Sequence, residues 1–135
     1  TREAIDPVRY LSNRSSGKMG YAICDALIAS GHQVVLVSGP TSLTAPASVE
    51  FVAVESALEM LDACQQHWSR CDAMFAVAAV SDYRPASTHE QKMKRVEDSL
   101  SLELVANPDI VKLLAADKGQ RLVIGFALES ENGLQ

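Results

Sequence analysis

The sequence predicts an α/β protein of the Rossmann-like, doubly wound class, in which helices cover both faces of a mostly parallel sheet. Three observations predict this class: strand and helix patterns alternate, short turns join them, and the segments over residues 34–38 and 72–80 are almost entirely apolar. Strands covered on both faces in a parallel sheet have this continuous apolar character. Because ligands bind beyond the carboxyl ends of such strands, we expect the loops after Ser38, Val80 and Phe126 to converge with the N-terminal loop.

The first helix follows a polar segment that contains several serines and glycines. From residue 19 to residue 27, apolar or small side chains recur at the spacing of one helical face. Ser15 or Ser16 is expected to cap the start of this helix, and Gly31 is expected to end it in the left-handed conformation. The apolar strand over residues 34–38 follows directly and stops at a Gly-Pro pair.

The later elements continue this alternation within a chain of one-domain size. Asn107 is expected as the N-cap of the last helix, with Pro108 at its first position. The segment over residues 81–98 is polar and without strong periodicity, which is typical of a loop. The remaining predicted strands cover residues 51–54, 100–105 and 122–127, and the remaining helices cover residues 56–67 and 108–116.

Composition excludes several classes of function. A net charge of −5 argues against general binding of nucleic acid or an anionic membrane, since both partners favour a basic surface. The three cysteines form no CxxC pair, which indicates a reducing, cytoplasmic setting with Cys24 and Cys64 as small core residues. The three histidines are scattered and suggest no metal site. No signal peptide and no apolar stretch near 18 residues is evident.

The segment from Asp6 to Gly20 concentrates basic side chains, hydroxyls and glycines directly before the first helix. Gly17 and Gly20 allow close approach of the backbone, and a helix N-terminus favours anions. This chemistry suits a phosphate group, although serine and glycine before a helix are also ordinary capping residues. The segment matches neither the GxGxxG pattern nor the P-loop pattern.

Three further candidates lie at strand ends or helix starts. Small residues near Ala78 leave room for a flat ligand, while Asp82 offers hydrogen-bond acceptors or a cation ligand and Lys92 offers positive charge. A solvated surface loop explains the same residues. The Asn-Pro-Asp-Ile run that begins at Asn107 is explained by capping alone, and Phe126 is explained as a core residue.

Taken together and in order, these motifs closely resemble those of the phosphopantothenate–cysteine ligase (phosphopantothenoylcysteine synthetase) domain of bacterial bifunctional coenzyme A biosynthesis flavoproteins. The resemblance spans residues 1–135 and implies that the family domain also has a first strand before Thr1 and a C-terminal part after Gln135. The matching motifs are Thr1-Arg-Glu, Asp6-Pro-Val-Arg-Tyr, Ser12-Asn13, Ser15-Ser-Gly-Lys-Met-Gly20, Leu36-Val-Ser-Gly-Pro40, Ala78-Ala-Val, Asp82-Tyr-Arg, Asn107-Pro-Asp-Ile110 and Gly125-Phe126.

The resemblance implies a two-step ligation with an acyl-cytidylate intermediate. The carboxylate of 4′-phosphopantothenate attacks the α-phosphate of CTP and releases pyrophosphate, and the amine of cysteine then displaces CMP to form an amide. By resemblance, Lys92 acts in the first step and Asn13 in the second, while Arg9 positions the substrate carboxylate or Asn13. The implied phosphate loop comprises Ser15, Ser16, Gly17 and Gly20. The implied nucleotide-binding residues are Ala76, Val77, Ala78, Asp82, Lys92, Asn107, Pro108, Asp109, Ile110 and Phe126.

The resemblance also implies a Mg²⁺ ion bound with CTP, a homodimer, and FMN only in a separate decarboxylase domain to which such a ligase is fused or bound. It implies no particular metal ligands. Two alternatives remain from the residues themselves: a nucleotide-cofactor oxidoreductase on a similar sheet, and a nucleotide-binding module that is incomplete as an enzyme. Binding of NADH without CTP would favour the first alternative.

Overall fold

The computed structural model describes residues 1–94 and 99–127, which form three helices and eight short strands. The helices confirm the predicted positions to within two residues, whereas four of the five predicted strands are shorter than predicted and three further strands were not predicted at all. The strands are β1 (Arg2–Ala4), β2 (Tyr10–Ser12), β3 (Val35–Ser38), β4 (Glu50–Ala53), β5 (Ala73–Ala76), β6 (Tyr83–Pro85), β7 (Leu104–Ala106) and β8 (Leu122–Gly125), and the helices are α1 (Lys18–Ala29), α2 (Ala57–Trp68) and α3 (Ile110–Ala116).

Two parallel pairs form the centre of the fold and confirm the predicted class. β3 pairs with β4, with Val35 opposite Glu50, and β5 pairs with β8, with Ala73 opposite Leu122. The connection from β5 to β8 contains α3, whereas residues 39–49, which join β3 to β4, are a loop without a helix. The hydrogen-bonded ladders of the described residues are four separate pairs rather than one continuous sheet, since every strand is only three or four residues long.

Two antiparallel pairs correct the prediction that the flanking segments are loops. β1 pairs with β2 within the N-terminal segment, and β6 pairs with β7 across the polar segment that had no periodicity. Strands of three residues are too short to show an alternating pattern, so β1, β2 and β6 carried no strand signal, whereas β7 overlaps the end of a predicted strand. The predicted strand over residues 100–105 is therefore displaced to Leu104–Ala106, and its residues are exposed.

The core lies where α2 and α3 pack beside the parallel pairs. Met60 and Trp68 of α2 meet Ile110 and Leu114 of α3, and Cys64 is among the residues packed against them. The indole nitrogen of Trp68 donates a hydrogen bond of 3.1 Å to the carbonyl of Leu114, so the one polar atom of this ring is satisfied. Burial raises the pKa of the Cys64 thiol, which keeps it protonated and agrees with its predicted core role.

The ends of α1 differ from the prediction at the start and match it at the finish. The N-cap is Gly17, with φ of 73°, rather than Ser15 or Ser16, although the Ser16 hydroxyl still accepts from the Lys18 N–H at 3.4 Å. Gly31, with φ of 85°, occupies the predicted left-handed position. The Gly31 N–H donates to the Ile28 carbonyl, and the His32 N–H donates to the Leu27 carbonyl. This is the hydrogen-bond pattern of a Schellman motif at the end of a helix.

The N-caps of α2 and α3 are of common types, but the N-cap of α3 is a different residue from the one predicted. Ser56 and Glu59 form a reciprocal capping box at the start of α2. At α3 the N-cap is Asp109, whose carboxylate accepts from the Lys112 N–H at 2.9 Å, and not Asn107 as predicted. Pro108 consequently lies before the helix.

None of the helices in residues 1–94 and 99–127 has both the length and the apolar character that crossing a bilayer requires.

Candidate functional site

A cavity of about 240 Å³ lies between the end of β2 and the start of β6. The side-chain amide of Asn13 donates a hydrogen bond of 3.1 Å to the Val80 carbonyl, so the residue that follows β2 is tied to the segment that follows β5. The cavity therefore brings together Asn13 and Asp82, which come from separate motifs of the sequence. Its lining residues are Leu11, Ser12, Asn13, Ser81, Asp82 and Tyr83.

Asn107 supports one wall of this cavity from behind. Its backbone N–H donates to the Asp82 carbonyl at 2.7 Å, and its side-chain amide donates to the Ser81 carbonyl at 2.8 Å. The guanidinium of Arg84 donates to the side-chain oxygen of Asn107 at 3.0 Å. These contacts explain why Asn107 does not cap α3: its amide nitrogen binds the backbone next to Asp82, and its amide oxygen accepts from Arg84.

The glycine-containing loop before α1 lies close to two other strand ends. A Cβ added at Gly17 would come within 2.9 Å of the Thr41 side chain, in the loop that follows β3. A Cβ added at Gly20 would lie 3.7 Å from Val77, directly after β5. Ser15 and Ser16 are exposed at this loop. The predicted convergence of the loops after β3 and β5 with the N-terminal loop is thus confirmed, whereas the loop predicted after Phe126 lies outside the described residues.

The ends of β5 and β8 also lie side by side. The Phe126 N–H donates to the carbonyl of Ala76 at 3.0 Å, which brings two predicted nucleotide-binding residues together. Phe126 is 46% exposed, so it is not the core residue that its apolar surroundings suggested. Ala78 is also exposed, whereas Ile110 belongs to the core cluster and offers a ligand little beyond its backbone.

Arg9 and Lys92 lie on a neighbouring part of the surface and do not line the cavity. The Arg9 guanidinium binds the Asp6 carboxylate and the Met93 carbonyl. It therefore contacts the segment that carries Lys92 and makes no described contact with Asn13. The Lys92 side chain is exposed.

Among the described acidic residues that adjoin the site, Asp6 has the most strongly shifted pKa. The Arg9 guanidinium, aided by the N–H groups of Val8, Arg9 and Met93, holds the pKa of Asp6 well below its ordinary value, against the opposing effect of burial. Asp6 is therefore a permanent negative charge at physiological pH. Asp6 was not among the predicted site residues, although its Asp-x-x-Arg spacing is a signal for such a pair.

Cofactor ligands are few in the described part of the chain. No group of three or more His, Cys, Asp or Glu side chains is arranged to hold a metal ion within residues 1–94 and 99–127. Asp82 contributes one carboxylate to the cavity. A single carboxylate fits a Mg²⁺ ion that is held mainly by phosphate oxygens and water, because this ion commonly takes only one or two protein ligands.

A second cavity of about 230 Å³ lies between the C-terminal ends of α2 and α3. None of the residues predicted to bind or react lines it. Its lining residues are Gln65, Trp68, Ser69, Leu113, Leu114 and Asp117.

Comparisons with known proteins agree on one family. The family model for the DNA/pantothenate metabolism flavoprotein C-terminal domain matches residues 1–135. The coenzyme A biosynthesis bifunctional protein CoaBC of Vibrio vulnificus (strain YJ016) is 49% identical over 135 residues, which cover 98% of this chain and 34% of that protein. The CoaBC protein of Bacillus subtilis (strain 168) is 41% identical over 133 residues, with 98% and 33% covered. The chain thus spans about a third of the curated relatives it matches.

Solved structures give the same result. The crystal structure of the C-terminal domain of a coenzyme A biosynthesis bifunctional protein CoaBC superposes with a TM-score of 0.85 at 47% identity, covering 98% of this chain and 62% of that one. A DNA/pantothenate metabolism flavoprotein from Streptococcus pneumoniae shares the fold, with a TM-score of 0.81 at 24% identity over 93% of this chain and 65% of that one. The chain therefore belongs to the DNA/pantothenate metabolism flavoprotein C-terminal domain family.

Proposed function

We propose that this chain carries the phosphopantothenate–cysteine ligase activity of coenzyme A biosynthesis. The observation that carries the proposal is the cavity that holds Asn13 and Asp82 together beside the ends of the parallel strands. Family membership and the names of the relatives, which describe coenzyme A biosynthesis, support the same activity.

The reaction requires activation of a carboxylate before an amine can attack it. The carboxylate of 4′-phosphopantothenate attacks the α-phosphate of CTP, which forms the acyl-cytidylate and releases pyrophosphate. The amine of L-cysteine then attacks the acyl carbon and expels CMP. Negative charge builds first on phosphate oxygens and then on the acyl oxygen, so preorganised donors at these two positions would lower both barriers.

Asn13 is the proposed donor of the second step. Its amide nitrogen is held by the Val80 carbonyl at 3.1 Å, which fixes the side chain at the edge of the cavity. Such a fixed amide can orient or polarise an acyl group without reorganising during the reaction.

Lys92 is the proposed charge-stabilising residue of the first step, acting on the phosphates of the nucleotide. Lys92 is exposed and does not line the cavity, so we propose that it meets phosphates that extend beyond the reacting centre. Arg9 contributes through the segment that carries Lys92, because its guanidinium binds the backbone of the next residue, Met93.

The remaining predicted residues form the proposed nucleotide and phosphate contacts. Asp82 would accept hydrogen bonds from the nucleotide, and the half-buried Asn107 would hold that wall of the cavity in place. A flat space for the nucleotide would lie at the ends of β5 and β8, next to residues 108–110. The residues around this space would be Ala76, Val77, Ala78 and Phe126. Ser15, Ser16, Gly17 and Gly20 would hold a phosphate of the substrate.

A Mg²⁺ ion bound with CTP would neutralise charge on the triphosphate, and Asp82 is the cavity residue that would contact it. FMN belongs in this proposal only to a separate decarboxylase domain, fused to or assembled with this one. We further infer a cytoplasmic homodimer that binds neither nucleic acid nor membrane, with CTP, 4′-phosphopantothenate and L-cysteine as its ligands.

A pyrophosphate-release assay on the full-length protein tests this function. CTP and ATP are supplied side by side, each with and without 4′-phosphopantothenate. The proposal expects release with CTP only when the pantothenate substrate is present, and formation of the amide only after cysteine is added. Release with ATP but not with CTP would show that the nucleotide substrate is ATP instead of CTP. No release with either nucleotide would refute the ligase function. Binding of NADH without CTP would favour an oxidoreductase instead.

A further inference from the structure

Asp6 is a buried carboxylate whose two oxygens have separate contacts. It is 3% exposed. Its Oδ1 atom accepts from the backbone N–H groups of Val8 and Arg9 at 2.9 and 2.8 Å, which closes a local turn. Its Oδ2 atom accepts from Arg9 Nε at 2.9 Å, from the Arg9 Nη2 group, and from the Met93 N–H at 3.1 Å. One oxygen therefore shapes the turn, and the other reaches a distant part of the chain.

Arg9 completes the attachment of that distant segment. Its Nη2 group donates to the Met93 carbonyl at 3.0 Å, so both backbone polar groups of Met93 are held, one by Asp6 and one by Arg9. Two further contacts, from Thr88 to the Ala4 carbonyl and from His89 to the Ile5 carbonyl, dock the same segment along the N-terminal strand. Residues 88–93 therefore follow the path of residues 4–9.

We propose that Asp6 is a positioning residue that sets the place of Lys92 by holding, together with Arg9, the backbone of Met93. The inference rests on the proposed function of Lys92 in forming the acyl-nucleotide. Lysine has a long and flexible side chain, so the location of its ammonium group depends on where its backbone is anchored. The anchor consists of charge-assisted hydrogen bonds, which are stronger than neutral ones.

Asp6→Asn separates the two tasks of the carboxylate. The asparagine oxygen can still accept from Val8 and Arg9 in the turn, but its NH₂ group would face the N–H groups of Arg9 and Met93. Hydrogen-bond donors would therefore face each other, without an acceptor between them, only on the side of the residue that holds the Lys92 segment. Arg9→Lys is the second variant, because it leaves the turn intact while a single ammonium cannot reproduce the bridge from Asp6 to the Met93 carbonyl.

Glu50→Gln is the matched control. Glu50 lies at the amino end of β4, and its carboxylate pairs with the Arg70 guanidinium at 2.6 Å. The substitution breaks an arginine–carboxylate pair by the same change of one atom, but at the end of the strand opposite to the binding loops. It is expected to leave the rate of pyrophosphate release within twofold of wild type.

Two readouts on the full-length protein test the proposal. Pyrophosphate release by Asp6→Asn and by Arg9→Lys is expected to fall by about 10- to 100-fold in kcat, since a displacement near 1 Å can cost about 100-fold. Measured on the residual pyrophosphate release of Lys92→Gln, the addition of Asp6→Asn is expected to cost little more, because both changes remove the same contribution. Hydrogen exchange of the Met93 amide is expected to accelerate in Asp6→Asn but not in Glu50→Gln.

Wild-type rates in both Asp6→Asn and Arg9→Lys would overturn the proposal. So would an equal further loss when Asp6→Asn is added to Lys92→Gln, because that result would show an effect independent of Lys92. If the wild-type protein itself releases no pyrophosphate, the proposed function fails instead. If the Asp6→Asn protein does not fold, Arg9→Lys tests the proposal by the same criteria.

Discussion

Replacing Gly17 with alanine should destabilise the loop before α1 by two separable effects. Gly17 has φ of 73°, and an added Cβ would lie 2.9 Å from Thr41 Cγ2. The left-handed backbone alone costs an L-residue about 1–2 kcal/mol. Overlap at this short distance adds about 1–3 kcal/mol, the usual cost of overpacking. We therefore expect Gly17→Ala to lower the free energy of unfolding by about 2–5 kcal/mol.

Gly31→Ala is the control for the backbone effect. Gly31 has φ of 85°, but nothing lies within 4 Å of the position that a Cβ would occupy. This variant should therefore lose only the cost of the left-handed conformation, about 1–2 kcal/mol. The difference between the two alanine variants measures the overlap with Thr41.

Thr41→Ser removes the atom in conflict while it keeps the hydroxyl. In wild type this change should cost less than about 1 kcal/mol, the value of one methyl group. In Gly17→Ala it should instead recover stability, until the double variant resembles Gly31→Ala. Urea unfolding followed by the fluorescence of Trp68, the one tryptophan of this sequence, measures the wild type and the four variants. Equal losses for Gly17→Ala and Gly31→Ala, or no recovery by Thr41→Ser, would refute the reasoning.

Three other predictions concern the site residues, a cap and pH. Asn13→Asp should retain pyrophosphate release but lose the amide product, whereas Lys92→Gln should lose both, and equal loss of both signals in the two variants would contradict the assigned roles. Asp109→Ala should lower the free energy of unfolding by about 1 kcal/mol in urea titration, since it removes the N-cap of α3; an unchanged midpoint would argue against that cap. Because the folded pKa of Asp6 is depressed, its contribution to stability should be constant from pH 7 to about pH 5 and shrink as pH falls below about 4. The stability difference between wild type and Asp6→Asn measures this trend, and a difference that grows with acidity would contradict it.

The parts of the fold that sequence could predict are those with long periodic patterns. α1 and α2 each have twelve residues, enough for a helical stripe, and the parallel strands are marked by apolar runs. The antiparallel pairs β1–β2 and β6–β7 could not be predicted in this way. Their strands have three residues each, and their formation depends on partners elsewhere in the chain rather than on a local pattern.

The candidate site shows the same division. The residue types at Asn13, Asp82 and Asn107 pointed to a polar site, but capping explained Asn107 equally well until its amide was seen to bind Ser81 and accept from Arg84. The position of Lys92 was also beyond sequence reasoning. It depends on contacts from Asp6 to Met93, 87 residues apart, which no local motif encodes.

The structure of the full-length protein with CTP and 4′-phosphopantothenate, in the absence of cysteine, would test the central claim most directly. Without the amine the acyl-cytidylate cannot proceed to product, so it should accumulate at the site. We predict that its acyl phosphate lies in the cavity between Asn13 and Asp82, with the base near the ends of β5 and β8. Nucleotide bound instead in the cavity between α2 and α3, or an unreacted CTP remote from Asn13, would contradict the account.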